Sequence, residues 1–142
     1  MASASATTVI NQPVEKVFSY VTQVENHKAW QAGILDAQVS PAGPIAVGST
    51  YTYTSEVLGR KMQTAMQVSQ FEANRKWAIK TTGVPTPVET VYDFVGDGGT
   101  TRLTISMELT GGFPAMAEAA VKASMQKSME EQAMRMKQLV EK

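Results

Sequence analysis

The sequence predicts an α+β fold: a curved antiparallel sheet of six or seven strands, two short helices after the first strand, and one long C-terminal helix covering the sheet. Three observations predict it. Apolar residues alternate with polar ones through most of residues 49–109, the pattern of half-covered strands in a meander. Val14, Val17, Phe18 and Val21 recur at the i, i+3, i+4, i+7 spacing of a short amphipathic helix. Residues 114–140, opened by Pro114, contain no further Pro and no Gly, and they are rich in Ala, Met, Glu, Gln and Lys.

Residues 4–11 are rich in Thr and β-branched side chains and read as the first strand. Pro13 suits the opening of the helix that follows, with Asn11 or Gln12 as its cap. Residues 25–33 read as a second short helix ending at Gly33. Ile34 to Val39 is the next strand, and Pro41, Gly43, Pro44 and Gly48 punctuate a loop. In the meander, Tyr51, Tyr53, Ser55 and Val57 share one face, with Gly59-Arg60 at the turn. Met62, Thr64, Met66 and Val68 share the next, then Trp77, Ile79 and Thr81. Val88, Thr90, Tyr92 and Phe94 precede Gly96-Asp97-Gly98-Gly99, a strong hairpin signal. Leu103, Ile105, Met107 and Leu109 close the sheet. The helix over 114–140 is about 40 Å long at 1.5 Å per residue, enough to lie across it.

Composition excludes several classes of function. The 142 residues are one domain's length, read here as a single domain over 1–142, and 43% hydrophobic with 18% charged argues against disorder. Thirteen basic residues balance thirteen acidic ones, so no nucleic-acid partner is expected. There is no cysteine and a single histidine, so neither a thiolate nor a multi-histidine metal site can form, and no metal or cofactor is expected. Gly96-Asp97-Gly98-Gly99 lacks the Lys-Ser/Thr of a phosphate loop. The N-terminus carries neither a basic nor an apolar signal region, and no apolar run approaches the roughly 20 residues of a membrane span. A cytoplasmic protein without stable membrane insertion is expected, as monomer or homodimer.

A curved sheet sealed by one helix leaves a space beneath that helix, and such spaces are mostly apolar with a few polar groups. Here the chain resembles a known family. Ile10 through Phe18 (Ile10-Asn11-Gln12-Pro13-Val14-Glu15-Lys16-Val17-Phe18), Trp30, Gly48, the hairpin exit Gly99-Thr100-Thr101-Arg102-Leu103 and the C-terminal helix are similar to START-like, helix-grip proteins of the SRPBCC superfamily. The similarity is greatest to its polyketide cyclase/dehydrase-like branch and covers essentially the whole chain. The resemblance implies the helix-grip (START/Bet v 1-like) fold and a ligand cavity between sheet and long helix. The superfamily includes lipid carriers, hormone and allergen-type binders, aromatase/cyclases and quinone-binding proteins. The implied partner is a small hydrophobic molecule of lipid, aromatic polyketide or quinone type.

The candidate ligand-binding residues follow from parity and chemistry. On the strands they are Tyr51, Tyr53, Met66, Trp77, Tyr92, Phe94, Ile105 and Met107. Tyrosine brings an apolar ring with a polar tip, which suits a pocket that orients its ligand. A one-residue register slip would turn Tyr51 and Tyr53 to solvent, and sequence leaves that parity open. Trp30 either lines the cavity or seats the second helix on the sheet. From the long helix come Met116, Ala120 and Ser124, with small residues at its centre leaving volume for a ligand. Nine methionines, five of them in the helix, suggest a deformable wall. His27 reads as a surface imidazole and no acid partner stands at a telling spacing. Arg102, Glu89 and Glu108 read as cross-strand pairs on the solvated face. No carboxylate pair or activated nucleophile emerges, so catalytic residues are not assigned. The function expected is hydrophobic ligand binding. The alternative is a cyclase or dehydratase using a cavity Tyr or His as acid–base group, which needs at least one of Tyr51, Tyr53, Tyr92 or His27 to face the cavity with a polar partner.

Overall fold

A computed structural model describes residues 2–23, 26–30, 34–40, 45–57, 59–81, 88–109 and 115–141, the side chains of 2, 27, 28, 57 and 115–118 lying outside that description. The chain order is β1 (Ala2–Ile10), α1 (Val14–Thr22), α2 (His27–Trp30), β2 (Ile34–Ser40), β3 (Thr50–Val57), β4 (Arg60–Glu72), β5 (Lys76–Thr81), β6 (Val88–Asp97), β7 (Thr100–Leu109) and α3 (Ala115–Val140). The strands form one curved antiparallel sheet ordered β1-β7-β6-β5-β4-β3-β2. Every strand from β2 onward pairs with its successor, and the first strand closes onto the last. α1 and α2 therefore carry the chain from one edge of the sheet to the other.

Two irregularities bend the sheet. The register shifts between Ile34 and Asp36 in β2 and between Val68 and Gln70 in β4. An extra residue on one strand kinks it and increases its twist. The β6–β7 hairpin turns through Gly98 and Gly99, between the paired Asp97 and Thr100. Gly98 takes φ +64, the left-handed geometry that two-residue hairpins require.

α1 starts differently from the sequence expectation. Pro13 itself is the N-cap, extended at φ −61 and ψ 150, and no side chain caps the helix. The Pro13 carbonyl accepts from the N–H groups of Lys16 and Val17, both at 3.1 Å. The Asn11 N–H instead donates to Glu141 at the far end of the chain, at 2.7 Å. Val17, Phe18 and Val21 bury the helix on the sheet, as their spacing predicts. Phe18 meets Phe71 and Phe94 edge-on, at 5.4 and 5.0 Å between ring centres. The helix approaches β6 so closely that a Cβ on Gly96 would stand 3.0 Å from Val14 Cβ and Cγ1. Of the second helix expected over 25–33, His27–Trp30 is helical, while 25 and 31–33 lie outside the described residues.

α3 runs alongside β1 in the same direction and covers that edge of the sheet. Gln126 accepts from the Ser5 N–H (3.3 Å) and donates to the Ser5 carbonyl (2.8 Å). Lys137 donates to the Val9 carbonyl at 2.8 Å and to Glu141 at 2.6 Å. An edge strand presents unpaired N–H and C=O groups, and here helix side chains occupy several of them. The sheet-facing stripe of α3 is Met125, Met129, Ala133, Met136 and Val140, all buried.

Candidate functional site

The inward face of the sheet is fixed by register. Ala6, Ile105, Tyr92, Trp77 and Phe71 are successive cross-strand partners from β1 to β4, so they share one face. Tyr51 pairs with Met66 and Val39, Tyr53 with Thr64 and Ala37. Tyr51 and Tyr53 are both buried, which settles the parity that the sequence leaves open: their side of β3 faces inward.

These side chains build a chain of rings on the inward face of the sheet. Tyr53 stacks on Tyr51 with planes 4° apart, and Tyr51 meets Trp77 edge-on at 5.6 Å. Trp77 lies 4.7 Å from Tyr92, tilted by 35°, and Tyr92 meets Trp30 edge-on at 6.0 Å. Such rings bury about 150–250 Å² each, and each good pair adds about 0.5–1.5 kcal/mol beyond burial. Trp30, at 0% exposure, packs within the core and ends the chain of rings against Tyr92.

Two tyrosine hydroxyls reach across the space between layers. Tyr51 donates to the Thr22 carbonyl at 2.8 Å, in the last turn of α1 where a helix leaves carbonyls without intrahelical partners. Tyr92 donates to Gln132 Oε1 on α3 at 3.1 Å. Burial pushes the Tyr92 hydroxyl well above the usual tyrosine pKa, because the phenolate would lose its hydration. Tyr92 is therefore a neutral donor across the physiological range.

The other candidates fall in three places. Ile105 is part of the buried floor. Met66 and Met107 are half-buried on the inward parity, in a more open region with Thr81, Val88 and Leu109. Phe94 belongs to the seat of α1 through Phe18, not to the ring chain. Ala120 and Ser124 require correction: both are exposed, so they do not form a small-residue wall facing the sheet. The sheet-facing stripe runs through Met125, Met129 and Met136. Ser124 is one residue, about 100° of helical rotation, from Met125. The side chains of Met116 and His27 lie outside the described residues.

Gln132 is the site residue that sequence reading passes over. Its signal is a polar side chain three residues after Met129 and four before Met136, on an otherwise apolar stripe.

Charge is segregated by parity. Glu89 opposes Glu108 across β6 and β7, while Arg102 lies between Val9 and Val95. The expected pairing of these carboxylates with Arg102 therefore does not occur. Glu89 instead accepts from the Ser69 hydroxyl at 3.0 Å. An open groove of about 450 Å³ lies on this side, lined by Ser3, Ala4, Ser5, Glu89, Val91, Ser106, Met107 and Glu108 with Lys122 and Gln126 of α3. It is of mixed polarity and set mainly on the outward parity, with Ala4 and the candidate Met107 reaching it from the inward parity. Among the described residues, no group of three or more His, Asp or Glu is placed to hold a metal ion.

Solved structures share this architecture at low sequence identity. A START superfamily protein from Mycobacterium smegmatis superposes with a TM-score of 0.80 at 18% identity, covering 99% of this chain and 98% of that one. TTHA0849 from Thermus thermophilus gives 0.77 at 15%, covering 97% and 96%. The Zhui aromatase/cyclase from a Streptomyces species gives 0.76 at 11%, covering 98% and 93%. These likenesses establish the helix-grip fold. No curated protein matches the sequence. The family model described as polyketide cyclase/dehydrase and lipid transport matches residues 1–141, and the chain belongs to that family.

Proposed function

We propose that this protein binds a small, mostly apolar molecule between the inward face of its sheet and α3. The observation that carries the reading is the chain of five rings, Tyr53-Tyr51-Trp77-Tyr92-Trp30, in one buried cluster with Met129 and Met136 of α3. Large flat surfaces on one wall and flexible, polarizable thioethers on the other suit a ligand that must be enclosed and released. The rings exclude solvent as they stand, so a ligand enters by displacing methionine side chains of the helix. The half-buried row of Met66, Thr81, Val88, Met107 and Leu109 marks the entry side. Family membership supports the reading, since lipid transport is part of the family's description.

The test is native mass spectrometry of freshly purified protein, followed by denaturing extraction. A defined adduct that extracts as an apolar molecule is expected, and the same spectrum distinguishes monomer from homodimer. A bare mass that also fails to take up any apolar molecule from a lipid and aromatic extract refutes the reading.

Catalysis as a cyclase or dehydratase is the second reading, favoured by one observation: Tyr92 faces the interlayer space with a polar partner, Gln132. Its raised pKa argues for polarising a carbonyl by hydrogen bonding rather than for exchanging protons near neutral pH. Turnover of an aromatic polyketide-like substrate that Tyr92→Phe abolishes would put this reading first.

A further inference from the structure

We infer that β2 is a self-pairing edge: two copies of this chain join by antiparallel β2–β2 pairing centred on Ala37, which runs one sheet into the next. The two edges of the sheet differ. At β1, Gln126 and Lys137 of α3 occupy backbone groups of Ser5 and Val9. At β2, among the described residues, no element other than β3 hydrogen-bonds the strand.

Ladder alternation shows which backbone groups are left over. The Val68 N–H donates to the Ser49 carbonyl at 2.8 Å, so Ser49, Tyr51 and Tyr53 turn their backbone groups toward β4. Successive residues of an antiparallel strand bond to opposite sides. Thr50, Thr52 and Thr54 therefore bond to Ser40, Gln38 and Asp36 of β2. By the same alternation, the N–H and C=O groups of Ala37 and Val39 point to the free edge. Such an edge templates a further strand unless Pro, Lys or a cover blunts it. Residues 34–40 hold neither Pro nor Lys. The bulge between Ile34 and Asp36 bends the start of the strand, and 36–40 stays in unbroken register with β3.

Complementarity identifies the occupant. Antiparallel pairing about Ala37 lets the two Ala37 residues exchange both N–H···O=C bonds. It sets Asp36 opposite Gln38 of the second copy, and Leu35 opposite Val39 of the second copy. Two-fold symmetry makes each of these pairings occur twice. Asp36 and Gln38 are exposed on the outward parity, and within one strand Gln38 Nε2 already donates to Asp36 Oδ2 at 3.3 Å. Across the pair they are non-hydrogen-bonded neighbours, whose Cα atoms stand about 4.5 Å apart with side chains close. Asp36 is the one charged residue of β2, so this register opposes no like charges, whereas a centre at Asp36 would oppose two carboxylates. Leu35, 47% exposed, gains an apolar neighbour in Val39 of the second copy. The contact is small beside the roughly 20–30 residues a side of a standard interface. The dimer is therefore weak, half-formed at about 0.1–1 mM.

Small-angle X-ray scattering of the full chain from about 20 μM to 2 mM, with amide NMR over the same series, tests this. The scattering mass should rise toward twice the monomer, and the Ala37 and Val39 amide resonances should shift with it. Gln38→Lys sets an ammonium opposite each Asp36 and should tighten the dimer about fivefold, a gain that added salt removes. Gln38→Glu opposes carboxylates and should weaken it about fivefold. Ala37→Pro deletes the N–H at the centre, which β3 does not use, and should leave monomer. If Ala37→Pro fails to fold, the two charge variants carry the comparison, since Gln38 is exposed. A constant monomer mass across the series overturns the inference and leaves the edge to a strand of a different protein. A dimer indifferent to both charge variants forms through another surface and overturns it equally.

Discussion

Tyr92→Phe isolates the contact that ties the centre of the sheet to α3. It removes one oxygen, keeps the ring that packs on Trp77 and Trp30, and deletes the 3.1 Å bond to Gln132. A neutral hydrogen bond contributes about 1 kcal/mol net, and stranding a buried partner adds about 1–2 kcal/mol. Gln132 is half-buried and can turn its carbonyl toward water, so the lower end applies, about 1 kcal/mol. At this chain length that lowers Tm by about 3–4 °C. Urea unfolding of Tyr92→Phe, Gln132→Leu and the double variant should give a coupling energy of about 1 kcal/mol. The pH profile supplies an independent check. The folded pKa of Tyr92 lies above its unfolded value, so this group's contribution is complete below the ordinary tyrosine range and is lost as pH rises through and beyond it. The limiting slope for one such group is about 1.4 kcal/mol per pH unit. Tyr92→Phe should lose up to one proton's worth of that alkaline dependence. A coupling energy near zero together with an unchanged alkaline slope would refute the assignment of this bond.

Three further outcomes are expected. Gly96→Ala puts a Cβ against Val14 at 3.0 Å, so α1 must shift; a loss of about 1–3 kcal/mol in denaturant unfolding is expected, whereas Gly99→Ala, whose Cβ meets nothing within 4 Å, should unfold near the wild-type midpoint. Tyr51→Phe leaves the Thr22 carbonyl without its 2.8 Å donor at a buried helix end and should cost about 1–2 kcal/mol, with faster amide exchange in the last turn of α1. Glu141 has its pKa lowered first by the hydrogen bond from Lys137 and then by the Asn11 N–H. Its contribution is therefore present above the ordinary carboxylate range and is lost as pH falls through the lowered folded value. Exchange at the C-terminal turn of α3 should quicken over that acidic window in the wild type and already be fast at neutral pH in Glu141→Gln.

The elements are legible in the sequence because period and punctuation agree. Val14, Val17, Phe18 and Val21 cannot share a face in a strand, and Leu103, Ile105 and Met107 cannot in a helix. Gly98 marks its hairpin because few other residues accept its φ. What sequence leaves open at β3 is parity: Tyr51 and Tyr53 alternate with Thr50, Thr52 and Thr54, and threonine is tolerated on either face. Pairing decides it, by placing Tyr51 beside Met66 and Tyr53 beside Thr64 on the side that also holds Trp77. The cap of α1 escapes sequence reading for a related reason. Asn11 has the chemistry of a cap, but its backbone is tied to Glu141, 130 positions away in sequence.

The helix side of the site is the hardest to read from sequence, and the reason is rotational. A 26-residue helix rich in alanine and methionine has no sharp boundary between its faces. Ala120, Ser124 and Ser128 make as good a stripe on paper as Met125, Met129 and Met136, and a rotation of about 100° exchanges them. What sets the rotation is contact with β1: Gln126 bonds both backbone groups of Ser5, and Lys137 reaches Val9. Those two anchors, 11 residues or about three turns apart, hold one flank of the helix on the sheet edge and turn the methionines inward. The same rotation carries Gln132 over Tyr92. A polar residue on a buried stripe is where local pattern fails and chemistry is found, since burial there must be compensated by a partner. Gln132 is such a residue, and Tyr92 is its partner.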